Sequence, residues 1–169
     1  MCNTAAMSMS APLILKESGY PLLSAMLLPY LRAGDVICLL GDLGAGKTAF
    51  ARHFIRSAAG EPVEVPSPTF TLVQTYDTAA GVPVWHFDLY RLTRPDEVFE
   101  LGWEDVRAHG VALVEWPSRL GPLMPADRLD IAFVPVAGDD AARNVTLTPF
   151  GNWVDRLPEF AKLTPTHQN

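Results

Sequence analysis

The eight residues Gly41-Asp42-Leu43-Gly44-Ala45-Gly46-Lys47-Thr48 satisfy G-x-x-x-x-G-K-[ST] at every defined position. That spacing suits phosphate. Glycines let the backbone curl so that successive N–H groups point at phosphate oxygens. A helix opening near Lys47 adds the positive end of its dipole at the same place. Lys47 is then expected to bridge the β- and γ-phosphates of a nucleoside triphosphate, with the Thr48 hydroxyl on Mg²⁺. The binding stretch runs from Asp42 to Ala49. A rival pattern, G-x-G-x-x-[GA], also fits Gly44 to Ala49, with Glu64 about 20 residues on, as a dinucleotide site asks. That fingerprint starts directly after its strand, whereas Gly41, Asp42 and Leu43 intervene here, and it leaves Lys47-Thr48 without a purpose.

Phosphoryl chemistry needs a further acid at a strand end, to hold Mg²⁺ or to orient water. Val111-Ala112-Leu113-Val114-Glu115 and Val84-Trp85-His86-Phe87-Asp88 are both apolar runs ending in an acid. Beside a phosphate loop, Glu115 and Asp88 are read as site residues rather than solvated loop acids. Trp116 either stacks on a base or packs at the domain edge. Ser67-Pro68-Thr69 sets two hydroxyls on a rigid turn, which on its own reads as the entry to a strand. His86 alternates within its strand and reads as structural, and Trp85 and Trp103 read as core. Arg91 offers a phosphate contact, with a surface ion pair as the default.

These residues need elements to hold them. Leu22, Leu23, Met26, Leu27, Tyr30 and Leu31 recur at helical spacing from Ser18, and Gly34 follows where a stop is expected. Val36 to Leu40 reads as a strand buried on both faces. Lys47 to Ala59 reads as a helix closed by Gly60. Phe70 to Tyr76 and Pro83 to Leu89 read as strands joined by a turn at Asp77 to Val82. Pro95 to Leu101 reads as a short helix ending at Gly102, and Val111 to Val114 as another strand. Leu129 to Val136 and Asn144 to Thr148 flank a turn at Ala137 to Arg143, and Asn152 to Lys162 reads as a surface helix. Hairpins cannot join parallel neighbours, so the expected fold is α/β with a mixed sheet. The expected organisation is a loose start over 1–12, one domain over 13–150 and a tail over 151–169.

Composition narrows the function. Of 169 residues, 49% are hydrophobic and 19% charged, as in a globular chain rather than a disordered one. The net charge is −6 and no window holds a basic run, which disfavours strong direct binding of nucleic acid. The two cysteines make no metal or disulfide framework, and Cys38 reads as a small buried hydrophobe. No stretch approaches the roughly 18 apolar residues that span a bilayer. The opening MCNTAAMSMS lacks the features of a signal peptide, so a cytoplasmic protein is expected. Neither Asn-Lys-x-Asp nor Asp-x-x-Gly occurs, nor an LSGGQ-like signature. Those absences argue against a Ras-like GTPase and a transporter ATPase and point the nucleotide toward ATP. No arginine-dense lid speaks for a small kinase.

Taken together, the motifs resemble one family, TsaE (formerly YjeE), the ATPase subunit of bacterial tRNA threonylcarbamoyladenosine biosynthesis. The resemblance lies in the Gly41–Thr48 loop, Ser67-Pro68-Thr69-Phe70, His86-Phe87-Asp88-Leu89-Tyr90-Arg91-Leu92, Glu100-Leu101-Gly102 and Glu115-Trp116-Pro117, in the family's order over roughly Leu22 to Ile131. It implies a P-loop NTPase-like three-layer domain and a Mg²⁺-dependent ATPase. It further implies ATP on Lys47, the metal on Thr48 and Glu115, and a part for Asp88 in hydrolysis. Thr69 would belong to a switch-like loop and Trp116 would lie by the nucleotide. Weak activity alone and work with TsaD- and TsaB-like partners are implied as well. The family's commonest loop has Thr where this chain has Ala49, a position that phosphate chemistry does not need. A small-molecule or nucleoside kinase and an ATP-sensing binding module are the alternatives.

Overall fold

The computed structural model describes residues 12–157. Along the chain run β1 (Leu13–Lys16), α1 (Tyr20–Leu27), β2 (Val36–Leu40), α2 (Lys47–Ala59), β3 (Val73–Tyr76), β4 (Val84–Asp88), α3 (Trp103–His109), β5 (Val111–Glu115), β6 (Arg128–Val136), β7 (Asp139–Phe150) and α4 (Trp153–Arg156). The strands form one sheet in the order β1-β7-β6-β2-β5-β4-β3. Its centre, β6-β2-β5-β4, is parallel; both margins, β1-β7-β6 and β4-β3, are antiparallel. The α/β class and the mixed sheet are as the sequence predicts.

Strand side chains alternate between faces, and the sheet therefore feeds two cores. Ile37, Leu39, Leu113 and Ile131 pack with Leu23 and Leu27 of α1 and Phe50 and Phe54 of α2. Val36, Cys38, Ala112 and Val114 pack with Phe87, Val106 of α3 and Leu120. The result is three layers. A helix as short as α2 is marginal alone in water. Full burial of Phe50 and Phe54, worth about 1.5–3 kcal/mol each, is what docks it on the sheet.

The structure departs from the sequence reading in five places. The helix stopped at Gly102 is a 3₁₀ segment, Pro95–Leu101, and the chain resumes beyond Gly102 as α3. Glu104 and Asp105 in the first turn of α3, and Arg107 and His109 in its last, complement the helix dipole. β3 begins at Val73, because Leu72 adopts φ +66° and donates its N–H to the Pro68 carbonyl at 2.6 Å, turning Phe70 to Leu72 out of the pleat. The β6–β7 turn is only Ala137-Gly138, with Gly138 at φ +82° taking the bend, and Asp139 to Arg143 belong to β7. β1, too short to be read from its pattern, pairs antiparallel with β7 from Leu13↔Val145 to Lys16↔Ala142. Finally, Trp153 of α4 is fully buried, and Arg156 grips Asp35 with two bonds of 2.7 and 2.8 Å, so this turn is anchored in the body of the fold. The remainder of the tail helix predicted to Lys162, and the loose start over 1–11, lie outside the described residues. Among the described residues no helix is long and apolar enough to cross a membrane.

Candidate functional site

Three parallel strands finish side by side at one edge of the sheet, with Glu115 opposite both Leu39 and Asp88 in register. Ligands of open α/β sheets sit at this carboxyl edge. Here β2 runs into the glycine-rich loop. Gly41 holds φ +148°, and a Cβ there would lie 2.7 Å from the Phe133 carbonyl oxygen. Gly46 leads into α2 at φ +109°, where a Cβ would lie 2.8 Å from the Tyr20 hydroxyl. Both positions combine a close approach with a backbone shape that favours glycine. Arg143 of β7 braces the loop from outside, its Nε donating to the Ala45 carbonyl at 2.8 Å.

Lys47 opens α2 and is only 4% exposed. Its Nζ donates to the carbonyl oxygens of Gly41 at 2.7 Å and Asp42 at 2.8 Å, and it stands 4.2 Å from the centre of the Trp116 ring. Burial pulls its pKa below the ordinary lysine value, and the carboxylates of Glu115, Asp88 and Asp42 partly oppose that. One residue on, the Thr48 hydroxyl donates to Glu115 Oε2 at 2.8 Å. The other oxygen of that carboxylate, Oε1, lies 2.8 Å from His86 Nε2. On β4, Asp88 accepts from the Thr69 hydroxyl and from the Tyr90 backbone N–H, both at 3.1 Å. The Thr69 hydroxyl is itself 2.7 Å from that of Ser67. Trp116 takes φ +58°, uncommon for a bulky residue, and lies 4.9 Å from the Tyr90 ring.

These groups enclose a cleft of about 370 Å³. Leu43, Gly44, Ala45, Gly46, Lys47, Thr48 and Ala49 line it together with Thr69, Asp88, Glu115 and Trp116. Asp42 alone of the sequence-predicted residues is outside the lining, and it acts through the carbonyl that holds Lys47. Tyr90 and Arg91 complete the wall. Arg91 forms no ion pair among the described residues; its guanidinium lies 4.6 Å from the Phe70 ring centre instead. His86, read from sequence as structural, touches Glu115 directly. Sequence reasoning missed Tyr90 and Arg143. The first follows from its place two residues after Asp88, but nothing local marks Arg143, which meets the loop from 98 residues away.

Backbone N–H groups at a helix start, a buried lysine and two strand-end acids make a cradle for polyphosphate. Thr48 Oγ1 and Glu115 Oε2 are hard oxygen donors. They suit a cation such as Mg²⁺, which draws its remaining ligands from water and phosphate. Among the described residues no group of three or more His, Cys, Asp or Glu is arranged to hold a metal on its own.

A central parallel sheet that releases a glycine-rich loop and two acids at one edge defines a P-loop NTPase-like α/β protein. The family model described as "Threonylcarbamoyl adenosine biosynthesis protein TsaE" matches residues 16–145, and the chain belongs to that family. Among curated relatives, the tRNA threonylcarbamoyladenosine biosynthesis protein TsaE of Bacillus subtilis is 39% identical over 131 residues, 77% of this chain and 79% of that protein. The protein of the same name from Rickettsia felis is 39% identical over 109 residues, 64% of this chain, and the match spans 63% of that protein's length. The crystal structure of Bacillus subtilis YdiB superposes with a TM-score of 0.67 at 32% identity, covering 90% of this chain and 97% of that one.

Proposed function

We propose that this chain is a cytoplasmic, Mg²⁺-dependent ATPase for threonylcarbamoyl modification of the adenosine next to the anticodon of tRNA. It acts with TsaD- and TsaB-like partner proteins. The observation that carries the reading is the Thr48–Glu115 bond of 2.8 Å, formed at the end of a loop whose lysine is buried beside it. On this reading, the loop N–H groups take the phosphates of ATP, and Lys47 exchanges the Gly41 and Asp42 carbonyls for β- and γ-phosphate oxygens. Thr48 and Glu115 hold Mg²⁺, which neutralises charge on those oxygens when bound. Asp88 orients the attacking water, held in aim by the Thr69 hydroxyl and the Tyr90 N–H. Trp116 and Tyr90 screen the lysine from solvent.

Weak activity alone is part of the proposal. Arg91, the arginine in the cleft lining, rests 4.6 Å from the Phe70 ring centre, and on this reading a partner completes the site. The test is ATP binding and ADP release, measured with and without the two partner proteins and tRNA. Hydrolysis is expected to rise with the partners present, and Lys47→Ala is expected to abolish ATP binding. Wild-type affinity in that variant sinks the proposal. Transfer of phosphate to an added small acceptor without partners would make the chain a kinase, and no ADP release even with partners would make it an ATP sensor.

A further inference from the structure

His86 is fully buried on β4, and Glu115, 2% exposed, ends the neighbouring strand β5. Val84, His86 and Asp88 alternate onto the face that carries α2, so the register Asp88↔Glu115 sets the imidazole under the Glu115 carboxylate. Among the described residues the 2.8 Å contact between His86 Nε2 and Glu115 Oε1 is the only hydrogen bond of that ring. The imidazole can donate to that oxygen through Nε2–H. Among the described residues Nδ1 has no hydrogen-bond partner. A buried polar group left half-satisfied is a cost that an apolar side chain of like size would not incur. Packing therefore does not account for a histidine here; the bond to Glu115 does.

We infer that His86 is a positioning residue: it fixes Glu115 Oε1 so that Oε2 faces Thr48 and the Mg²⁺ site. The inference rests on the Mg²⁺-ATPase reading above. The carboxylate is clamped from both sides, by His86 on Oε1 and by the Thr48 hydroxyl on Oε2. Without the imidazole, the Thr48 hydroxyl is the one remaining clamp among the described residues, and the carboxyl plane is less firmly set about its last bond. His86 lines no part of the cleft, and so acts only through Glu115. Groups that orient a metal ligand in this way are typically worth about 10- to 100-fold in metal affinity.

The test reads binding rather than turnover. A fluorescent non-hydrolysable ATP analogue is titrated at increasing Mg²⁺, and again in EDTA, against wild type, His86→Leu, His86→Gln and His86→Asn. Glutamine places an amide N–H where Nε2 stands, whereas asparagine falls short of Oε1. Leucine and asparagine are expected to raise the Mg²⁺ concentration for half-maximal response by about tenfold or more. Binding in EDTA should stay within about twofold of wild type, and glutamine should restore the wild-type Mg²⁺ response. A wild-type Mg²⁺ response in the asparagine and leucine chains overturns the inference, as does a glutamine chain as impaired as they are. Should the leucine chain fail to fold, the contrast of glutamine with asparagine decides alone. Wild-type protein that binds the analogue equally with and without Mg²⁺ overturns the ATPase reading itself, and this inference with it. A Mg²⁺ response shared by all four chains overturns this inference only.

Discussion

The two walls of the cleft are built differently. The loop wall, Gly41 to Thr48, is made of backbone: positive-φ glycines, the N-terminus of α2, and carbonyls that hold Lys47 and accept from Arg143. The acid wall is made of side chains joined by hydrogen bonds, Thr69 to Asp88 and Thr48 to Glu115 to His86. A backbone wall tolerates changes of side chain and resists any change of shape. A side-chain wall loses its chemistry when one of its donors or acceptors is removed. The first binds, the second acts, and the difference can be attacked from either side.

The largest effect is expected on the loop wall. Gly41→Ala sets a Cβ against the Phe133 carbonyl oxygen at 2.7 Å and Ala45 Cβ at 2.9 Å, and the first of these is main chain that cannot step aside. Strained φ and overpacking each cost about 1–3 kcal/mol, so a loss of about 2–6 kcal/mol is expected in urea unfolding, along with nucleotide binding. Gly46→Ala is the sharper comparison. It meets a side chain, the Tyr20 hydroxyl at 2.8 Å, and no main-chain atom, and should lose less stability than Gly41→Ala. Equal losses at the two glycines would break the account of the loop as shape set by backbone.

On the acid wall, Asp88→Asn and Glu115→Gln keep volume and remove charge. Hydrolysis is expected to fall by about 10²-fold for each, while the affinity for a non-hydrolysable ATP analogue in EDTA stays near wild type. Single-turnover kinetics beside that titration separates the two quantities. A parallel loss of binding would merge the walls into one unit and end the comparison.

The same contrast governs what the sequence made legible. The loop is contiguous, so its residues, the strand before it and the helix after it can be read from one window. Asp88 and Glu115 are visible as acids ending apolar runs, but their adjacency depends on the parallel register of β4 and β5, which no window contains. His86 looked structural because its role lies in a neighbour 29 positions away. Arg143 left no trace, since a surface-type residue on a hairpin has no local reason to reach the loop. α3 was hidden by Gly102, which reads as a stop and is a joint between two helical segments. β1 is four residues long and gains its identity only from β7. Short-range chemistry was readable; contacts made by register and by tertiary reach were not.

The smallest effect tests how finely the acid wall is tuned. Thr69 gives Asp88 one of its two hydrogen bonds, at 3.1 Å, and the Tyr90 N–H gives the other. Thr69→Val is nearly isosteric and removes only the hydroxyl. The carboxylate then keeps the Tyr90 bond on Oδ1 while Oδ2 loses its donor. A hydrogen bond to a charged group is worth about 1.5–3 kcal/mol, and water entering the cleft can replace much of it. A fall of a few-fold in hydrolysis at unchanged nucleotide affinity is therefore expected, well short of that in Asp88→Asn. Thr69→Ser keeps the donor and should restore most of the rate. If valine costs as much as Asp88→Asn, Thr69 acts on the reacting groups directly rather than by aiming the carboxylate. If it costs nothing, the Tyr90 N–H suffices, and the Ser67–Thr69 turn belongs to the strand entry alone.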